Sequence, residues 1–121
     1  VGFTHNDTEK EIEYLKDKII NLRIFDDENG IMNKSLKDIN GSILSISQFT
    51  LYADATKGRR PSYIKALDGK EAEKLYNLWN EKLKSTGIEV QTGKFGSDMK
   101  ISVINDGPVT ICLEKEGERN E

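Results

Sequence analysis

Residues able to perform acid–base or metal chemistry are scarce in this chain of 121 residues. It has one histidine, His5, and one cysteine, Cys112, far apart in sequence. A zinc site usually takes about four Cys or His ligands, and a Ser/His/Asp triad needs a histidine beside its nucleophile. His5 stands in a predicted turn beside Asn6 and Asp7. The sequence therefore predicts no metal site and no cofactor, and neither a triad nor a paired-carboxylate site can be assembled from it.

Polar side chains interrupt an apolar segment, residues 42–53, that is rich in residues favoured in strands. The interruption is Ser47-Gln48-Phe49-Thr50-Leu51, whose hydroxyls and amide need hydrogen-bond partners if they are buried. Because Ile43 and Leu44 are apolar on both faces, a central strand covered on two sides is predicted. From these residues alone, a strand with one solvated face remains an alternative to a functional site.

Two glycine-containing segments are further candidates. In Gly93-Lys94-Phe95-Gly96-Ser97-Asp98-Met99, two glycines allow the backbone to approach a ligand closely. The segment lacks the lysine-plus-hydroxyl ending and the following helix of a P-loop, so a plain loop between strands is the alternative. On composition alone, Asn105-Asp106-Gly107-Pro108-Val109-Thr110 is typical of a turn between two strands.

A cluster of cations lies in the predicted loop 56–62: Lys57, Arg59 and Arg60. Such a cluster can contact nucleic-acid phosphates, although a solubilising loop is the alternative. The whole chain carries 18 Lys and Arg against 21 Asp and Glu, a net charge of −3. Any contact with nucleic acid must therefore be local.

The helices that must position these segments follow from hydrophobic spacing. Apolar residues at helical intervals form a stripe along residues 8–22: Ile12, Leu15, Ile19 and Leu22. Thr8 and Glu11 predict a capping box at the start of this helix. Residues 70–86 predict a second amphipathic helix that ends before Gly87.

Strands are predicted around the helices. Asn29-Gly30 predicts a turn that joins two short extended pieces, and residues 88–92, 100–105 and 109–113 are each strand-like. The order of elements predicts one α/β, or α+β-like, domain over residues 1–113 with both helices on one side of a sheet. Residues 114–121 form a charged tail that we expect to fray.

Composition predicts a cytoplasmic protein. No apolar stretch approaches the ~18 residues of a membrane span, and the first residues do not form a signal peptide. Cys112 lies in an apolar run and cannot form an internal disulfide, because it is the only cysteine. We expect it to be a buried thiol in a reducing compartment.

Taken together, four segments closely resemble the D-aminoacyl-tRNA deacylases, the family first described as D-tyrosyl-tRNA deacylase. They are Ser-Gln-Phe-Thr-Leu at 47–51, Lys-Gly-Arg-Arg-Pro-Ser at 57–62, Gly-Lys-Phe-Gly-Ser-Asp-Met at 93–99 and Asn-Asp-Gly-Pro-Val-Thr at 105–110. The spacing between the motifs agrees with the family over nearly the whole chain. Members usually begin with a β-hairpin ahead of the segment that here starts at Val1, and many have alanine at the position of Ser97.

The resemblance implies a homodimer with a barrel-like curved sheet that hydrolyses the ester between a D-amino acid and the 3′-terminal adenosine of a tRNA, and that also accepts glycine. It implies a cis Gly107-Pro108 pair whose carbonyl oxygens enter the partner's pocket and exclude L-amino acids by steric clash. The remaining site residues that it implies are, for catalysis, Ser47, Gln48, Phe49, Thr50 and Thr110; for substrate binding, Asn105, Phe95 and Met99; and for tRNA binding, Lys57, Arg59 and Arg60.

Two other classes of function remain open. One is a tRNA-binding or interaction module without activity, or an inactive fragment, of the same fold. The other is a general small-ester hydrolase, which would cleave simple esters regardless of the chirality at the α-carbon.

Overall fold

The structure is a computed structural model that describes residues 1–117. Its first helix, α1, spans Glu9–Asn21 and begins with the predicted capping box. The Thr8 backbone amide donates to the Glu11 carboxylate at 2.6 Å, and the Thr8 hydroxyl accepts from the Lys10 amide at 3.3 Å. These bonds pair polar groups that a helix start leaves without intrahelical partners.

The predicted hairpin follows α1. Strands β1 (Phe25–Asp26) and β2 (Met32–Lys34) pair antiparallel. Between them, the Asp27 amide donates to the Ile31 carbonyl at 2.8 Å. Gly30 has a φ of 74°, a left-handed conformation that glycine adopts without a steric penalty. The Asn29-Gly30 signal is confirmed.

A strand–helix–strand unit completes the ordered elements. Strand β3 (Ser42–Ser45) pairs in parallel with β4 (Glu89–Thr92), and helix α2 (Gly69–Lys84) lies between them in sequence. Parallel pairing requires such a long crossover connection. The carboxyl ends of both strands consequently lie side by side, with Ser45 opposite Thr92.

The core forms between the two helices and β4. Helix α1 packs against α2, and α2 packs against β4. The buried residues of this core come from the N-terminal segment, the two helices and β4: Phe3, Ile12, Ile20, Tyr76, Trp79, Leu83 and Val90. At the surface, Lys82 of α2 reaches Glu9 at 2.7 Å and Glu13 at 2.9 Å on α1, and these hydrogen bonds raise the pKa of Lys82.

The predicted strand over residues 42–53 is too long, and the prediction that it is a central strand covered on two sides is wrong. Strand β3 lies in a sheet of two strands, and Leu44 is 60% exposed. Strand β3 ends at Ser45, and Phe49–Tyr52 form a 3₁₀ turn in which the Leu51 amide donates to the Gln48 carbonyl at 3.3 Å. The partner strand β4 ends at Thr92, immediately before Gly93, so no ladder remains beyond this point.

The strands predicted over residues 100–105 and 109–113 are absent from the described part of the chain. Both segments are exposed, and a strand needs a neighbouring strand with which to exchange hydrogen bonds. The predicted burial of Cys112 is wrong for the same reason, because its thiol lies exposed on an unpaired segment.

The α/β class with two helices is confirmed. Residues 1–117 contain two separate two-stranded sheets instead of one continuous curved layer. Of the predicted tail, residues 114–117 are described and residues 118–121 lie outside the described range.

Candidate functional site

The principal candidate site is a cavity of about 780 Å³ beside the carboxyl ends of β3 and β4. The segment after β3 supplies residues 46–49 and the segment after β4 supplies residues 94–99. Because parallel strands end at the same sheet edge, the fold brings these two segments together although they are far apart in sequence. Five of the predicted site residues line this cavity: Ser47, Gln48, Phe49, Phe95 and Met99.

The N-terminal segment forms another wall of the cavity. The Gln48 amide donates to the Val1 carbonyl at 2.8 Å, and the Leu67 amide donates to the Phe3 carbonyl at 2.9 Å. Gly2 lies between these anchors, where a Cβ would come within 2.9 Å of the Gln48 carbonyl oxygen. The first residues therefore fix the segment that carries Ser47 and Phe49.

These contacts limit which backbone amides can face a ligand. Of the amides of Gln48, Phe49 and Thr50, that of Gln48 is already bonded to the Val1 carbonyl, so those of Phe49 and Thr50 remain as candidates. The Gln48 side-chain amide donates to the Thr50 hydroxyl. Thr50 thus contacts a cavity residue without lining the cavity itself.

Two aromatic side chains that contact each other line the cavity. Phe49 and Tyr63 meet edge to face, with ring centroids 5.1 Å apart and planes inclined by 64°. The Phe49 side chain is 56% exposed although it is large and apolar. The 3₁₀ turn that begins at Phe49 ends at Tyr52, and partial burial raises the pKa of the Tyr52 hydroxyl to about 12.

The second wall contains the glycine loop. Met99 packs over Gly93, where a Cβ would lie 3.0 Å from the Met99 sulfur. Lys94 and Asp98 from this loop, together with Asp68 at the start of α2, give the cavity lining both signs of charge. Asp68 caps α2 by accepting from the Gly69 amide at 2.8 Å.

The predicted Gly-Pro motif, residues 105–110, lies outside the cavity. Asn105, Gly107, Pro108 and Thr110 are exposed and do not line it in a single chain. The Gly107–Pro108 peptide bond is cis, and Gly107 has a φ of 115°, which favours glycine. The function of this pair as a wall of the site remains a prediction.

The basic loop is a separate, exposed feature. Asp54 and Ser62 exchange two backbone hydrogen bonds of 2.8 Å that close the loop at its base. Lys57, Arg59 and Arg60 are all exposed within it. Tyr63 of the aromatic pair directly follows Ser62 at this base in the sequence.

Sequence reasoning missed several cavity residues. Tyr63 and Ile64 directly follow the basic loop, and Asp68 precedes α2 as its cap. An Asp-Gly pair before an amphipathic stripe signals a helix start, but it does not reveal that this start faces a cavity. The exposure of Ile64 next to Tyr63 also has no signal in the sequence.

The described residues contain no evident metal centre or membrane span. Within residues 1–117, no group of three or more His, Cys, Asp or Glu side chains is arranged to hold a metal ion. No helix in the same range is long and apolar enough to cross a membrane.

Comparison with known sequences decides the family. The profile of the family described as D-Tyr-tRNA(Tyr) deacylase matches residues 1–114. This chain belongs to that family. A relative from Bacillus cytotoxicus, named D-aminoacyl-tRNA deacylase, is 53% identical over 116 residues, which are 96% of this chain and 80% of the relative. Another of that name from Brevibacillus brevis is 56% identical over 114 residues, 94% of this chain and 79% of the relative.

A solved structure is similar to this chain over nearly its whole length. It is titled c-Myc DNA Unwinding Element Binding Protein and is 41% identical to this chain with a TM-score of 0.88. The superposition covers 97% of this chain and 80% of the solved chain. Both proteins therefore share the same overall fold.

Proposed function

We propose that this chain hydrolyses D-aminoacyl-tRNA. Water adds to the ester carbonyl, the bond to the terminal ribose breaks, and a free D-amino acid and tRNA are released. The observation that carries this proposal is the convergence of Ser47–Phe49 and Phe95–Met99 on one cavity. The chain belongs to a family whose relatives are named D-aminoacyl-tRNA deacylase.

The chemical step requires little from protein side chains. An aminoacyl ester is already activated, and the ribose supplies a neighbouring 2′-hydroxyl. The backbone amide of Phe49, which lines the cavity, is the better placed donor to stabilise the oxyanion that develops on the carbonyl, and that of Thr50 follows it in the chain. One well-placed donor of this kind is worth about 3 kcal/mol. Thr110 positions the substrate and does not act as a nucleophile, because a nucleophilic threonine needs a base to activate it. The chain's one histidine, His5, is engaged elsewhere, since its Nε2 donates to the Ile64 carbonyl at 2.9 Å.

Chiral selection uses the backbone of Gly107 and Pro108. A wall at the position of an L side chain admits only hydrogen there, so D-amino acids and glycine enter and L-amino acids clash. Its carbonyl oxygens also accept hydrogen bonds from the substrate ammonium, and Asn105 supports this segment. Phe95 and Met99 form the opposite, apolar side of the pocket.

A homodimer brings this wall to the cavity. In one chain the Gly107–Pro108 segment and the cavity are separate, so the segment reaches the cavity of a second copy. The exposed apolar side chains near it support this arrangement, since large exposed patches mark interaction surfaces: Ile101, Val103, Ile104, Val109 and Ile111. In the assembled protein, residues 100–105 and 109–113 extend the sheet toward the barrel-like layer.

The tRNA lies across the basic loop and the aromatic pair. Lys57, Arg59 and Arg60 contact phosphates of the acceptor stem. Phe49 and Tyr63 offer exposed ring surfaces on which an unpaired base at the 3′ end can stack. This activity belongs in the cytoplasm, where tRNAs are aminoacylated.

The decisive experiment compares matched D- and L-aminoacyl-tRNAs that carry the same amino acid. We expect release of the free amino acid from the D ester and from glycyl-tRNA, with the L ester intact. Equal cleavage of D and L esters, and of a simple methyl ester, would instead show a general esterase. Binding of tRNA without release of either amino acid would show a binding module.

A further inference from the structure

Tyr76 is a buried residue of α2 that contacts Ser45, just before one wall of the cavity, and Phe95 in the other wall, without lining the cavity itself. Its side chain is 3% exposed, and its hydroxyl donates to the Ser45 carbonyl at 2.7 Å. The same carbonyl accepts the Gly93 amide at 3.1 Å. One oxygen atom therefore joins α2, the end of β3 and the residue that follows β4.

The Ser45 carbonyl lies where the two cavity segments separate. Ile46 and Ser47 continue from β3 into one wall, and Gly93 opens the loop that forms the other. A small displacement at this point changes the separation of both walls. A carbonyl oxygen can accept two hydrogen bonds, and here both donors come from elements that hold the site.

The ring of Tyr76 makes a second contact. Its centroid lies 5.9 Å from that of Phe95, with planes inclined by 37°. Phe95 lines the cavity, so the Tyr76 ring supports it from behind. The hydroxyl thus acts on the backbone between the walls, and the ring acts on one wall directly.

We propose that Tyr76 is a positioning residue for the deacylation reaction, which sets the distance between the Ser47–Phe49 wall and the Phe95–Met99 wall. This inference rests on the proposed function and names a further residue for the same site. Its two contacts are separable, since phenylalanine removes the hydroxyl and keeps the ring, whereas leucine removes both.

Steady-state kinetics with D-aminoacyl-tRNA test the role of each contact. We expect Tyr76→Phe to lower kcat by about tenfold with KM nearly unchanged, because sub-ångström displacement of reacting groups is costly. We expect Tyr76→Leu to lower kcat similarly and also to raise KM, because Phe95 loses its support.

The matched control is Trp79→Phe, a change of a buried aromatic residue on the same helix. We expect this variant to lower the thermal unfolding midpoint at least as much as Tyr76→Phe while kcat and KM stay at wild-type values. Wild-type kinetics in Tyr76→Phe, or an equal loss of kcat in Trp79→Phe, would overturn the proposal.

A methyl NMR measurement separates this proposal from the proposed function. The chain has two methionines: Met99 lines the cavity and Met32 lies on β2. In Tyr76→Phe we expect the Met99 methyl resonance to shift and that of Met32 to stay, whereas Trp79→Phe leaves Met99 in place. An unshifted Met99 overturns the positioning role; inactivity of the wild-type chain alone overturns the proposed function.

Discussion

Individual side chains control how much space the candidate site offers. Met99 is flexible, lines the cavity and rests directly on Gly93. A Cβ at Gly93 would lie 3.0 Å from the Met99 sulfur, so the Met99 side chain would have to shift to make room for it. Gly69 also lines the cavity, yet a Cβ at that position meets nothing within 4 Å. Alanine at Gly69 adds a methyl group without a close contact, whereas alanine at Gly93 adds one that contacts Met99. Comparing the two variants therefore isolates the effect of the contact with Met99.

We predict that Gly93→Ala pushes Met99 into the cavity and raises KM for D-aminoacyl-tRNA by about tenfold, the usual effect of one misplaced methylene-sized group in a pocket. The double variant with Met99→Ala should recover most of the affinity, because the displaced side chain is then absent. Gly69→Ala serves as the control and should leave KM unchanged. An unaltered KM in Gly93→Ala would show that Met99 moves away from the pocket.

At the scale of elements, the sequence predicts helix caps and turns correctly, but it does not predict which segments pair as strands. The capping box at Thr8 and Glu11 and the Asn29-Gly30 turn depend on a few neighbouring residues, so the sequence contains the whole signal. Whether residues 100–113 form strands depends on a neighbouring strand from another part of the chain or from another copy. The composition of these residues does not show whether such a strand is present. Cys112 was misjudged with them, because its burial depends on that partner.

The same distinction explains which parts of the site were predicted. The segments at Ser47 and Phe95 have recognisable motifs, and the parallel pairing of β3 with β4 brings them together. Tyr63 and Tyr76 reach the site only through tertiary packing. Nothing in the spacing of α2 distinguishes Tyr76, which bonds to Ser45, from the other apolar residues that form the core.

We predict that Thr8→Ala lowers the free energy of unfolding by about 1 kcal/mol, the typical value of an N-cap. The hydrogen bond from Thr8 holds the pKa of Glu11 below its ordinary value of 4.5. This stabilisation is complete above that pH and is lost as the pH falls through the lowered pKa. Urea unfolding should therefore show the largest difference between the two proteins at neutral pH and a smaller one in acid.

Thr8→Ser is the matched control, since serine keeps the hydroxyl. It should unfold close to the wild type at every pH. A difference between wild type and Thr8→Ala that grows in acid would contradict the assignment of the effect to Glu11.

At the scale of the whole molecule, the exposed apolar residues near Gly107 require a partner in our proposal. Ile104 is 95% exposed. We predict that Ile104→Glu weakens self-association by at least about tenfold, because a buried unpaired charge at an interface is costly. Sedimentation over a range of protein concentrations measures this change.

Ile31→Glu is the control for surface hydrophobicity, because Ile31 is 60% exposed in the β1–β2 hairpin, away from this segment. It should leave self-association as in the wild type. If both variants behave alike, or if the wild-type chain stays monomeric at high concentration, residues 100–113 do not form the interface.

The distribution of charge over the molecule leads to a prediction about tRNA. Replacing Lys57, Arg59 and Arg60 by alanine should reduce the slope of log affinity against log salt by about one unit for each lost phosphate contact. The preference for D over L substrates should persist, because the wall lies elsewhere. A control triple variant at the exposed residues Lys37, Lys70 and Lys84 changes net charge equally. An equal loss of slope in the control would mean that general charge, and not this loop, attracts the RNA.

The exposed thiol of Cys112 can be labelled chemically, and its labelling rate measures how far this segment is covered by a second copy. It is the only cysteine in the sequence and lies on the apolar segment that we assign to the interface. Because alkylation of a thiol requires access of the reagent, we predict that the rate constant for maleimide labelling falls as protein concentration rises. Ile104→Glu should abolish this dependence. A rate independent of concentration in the wild type would mean that the thiol stays outside the contact between the two copies.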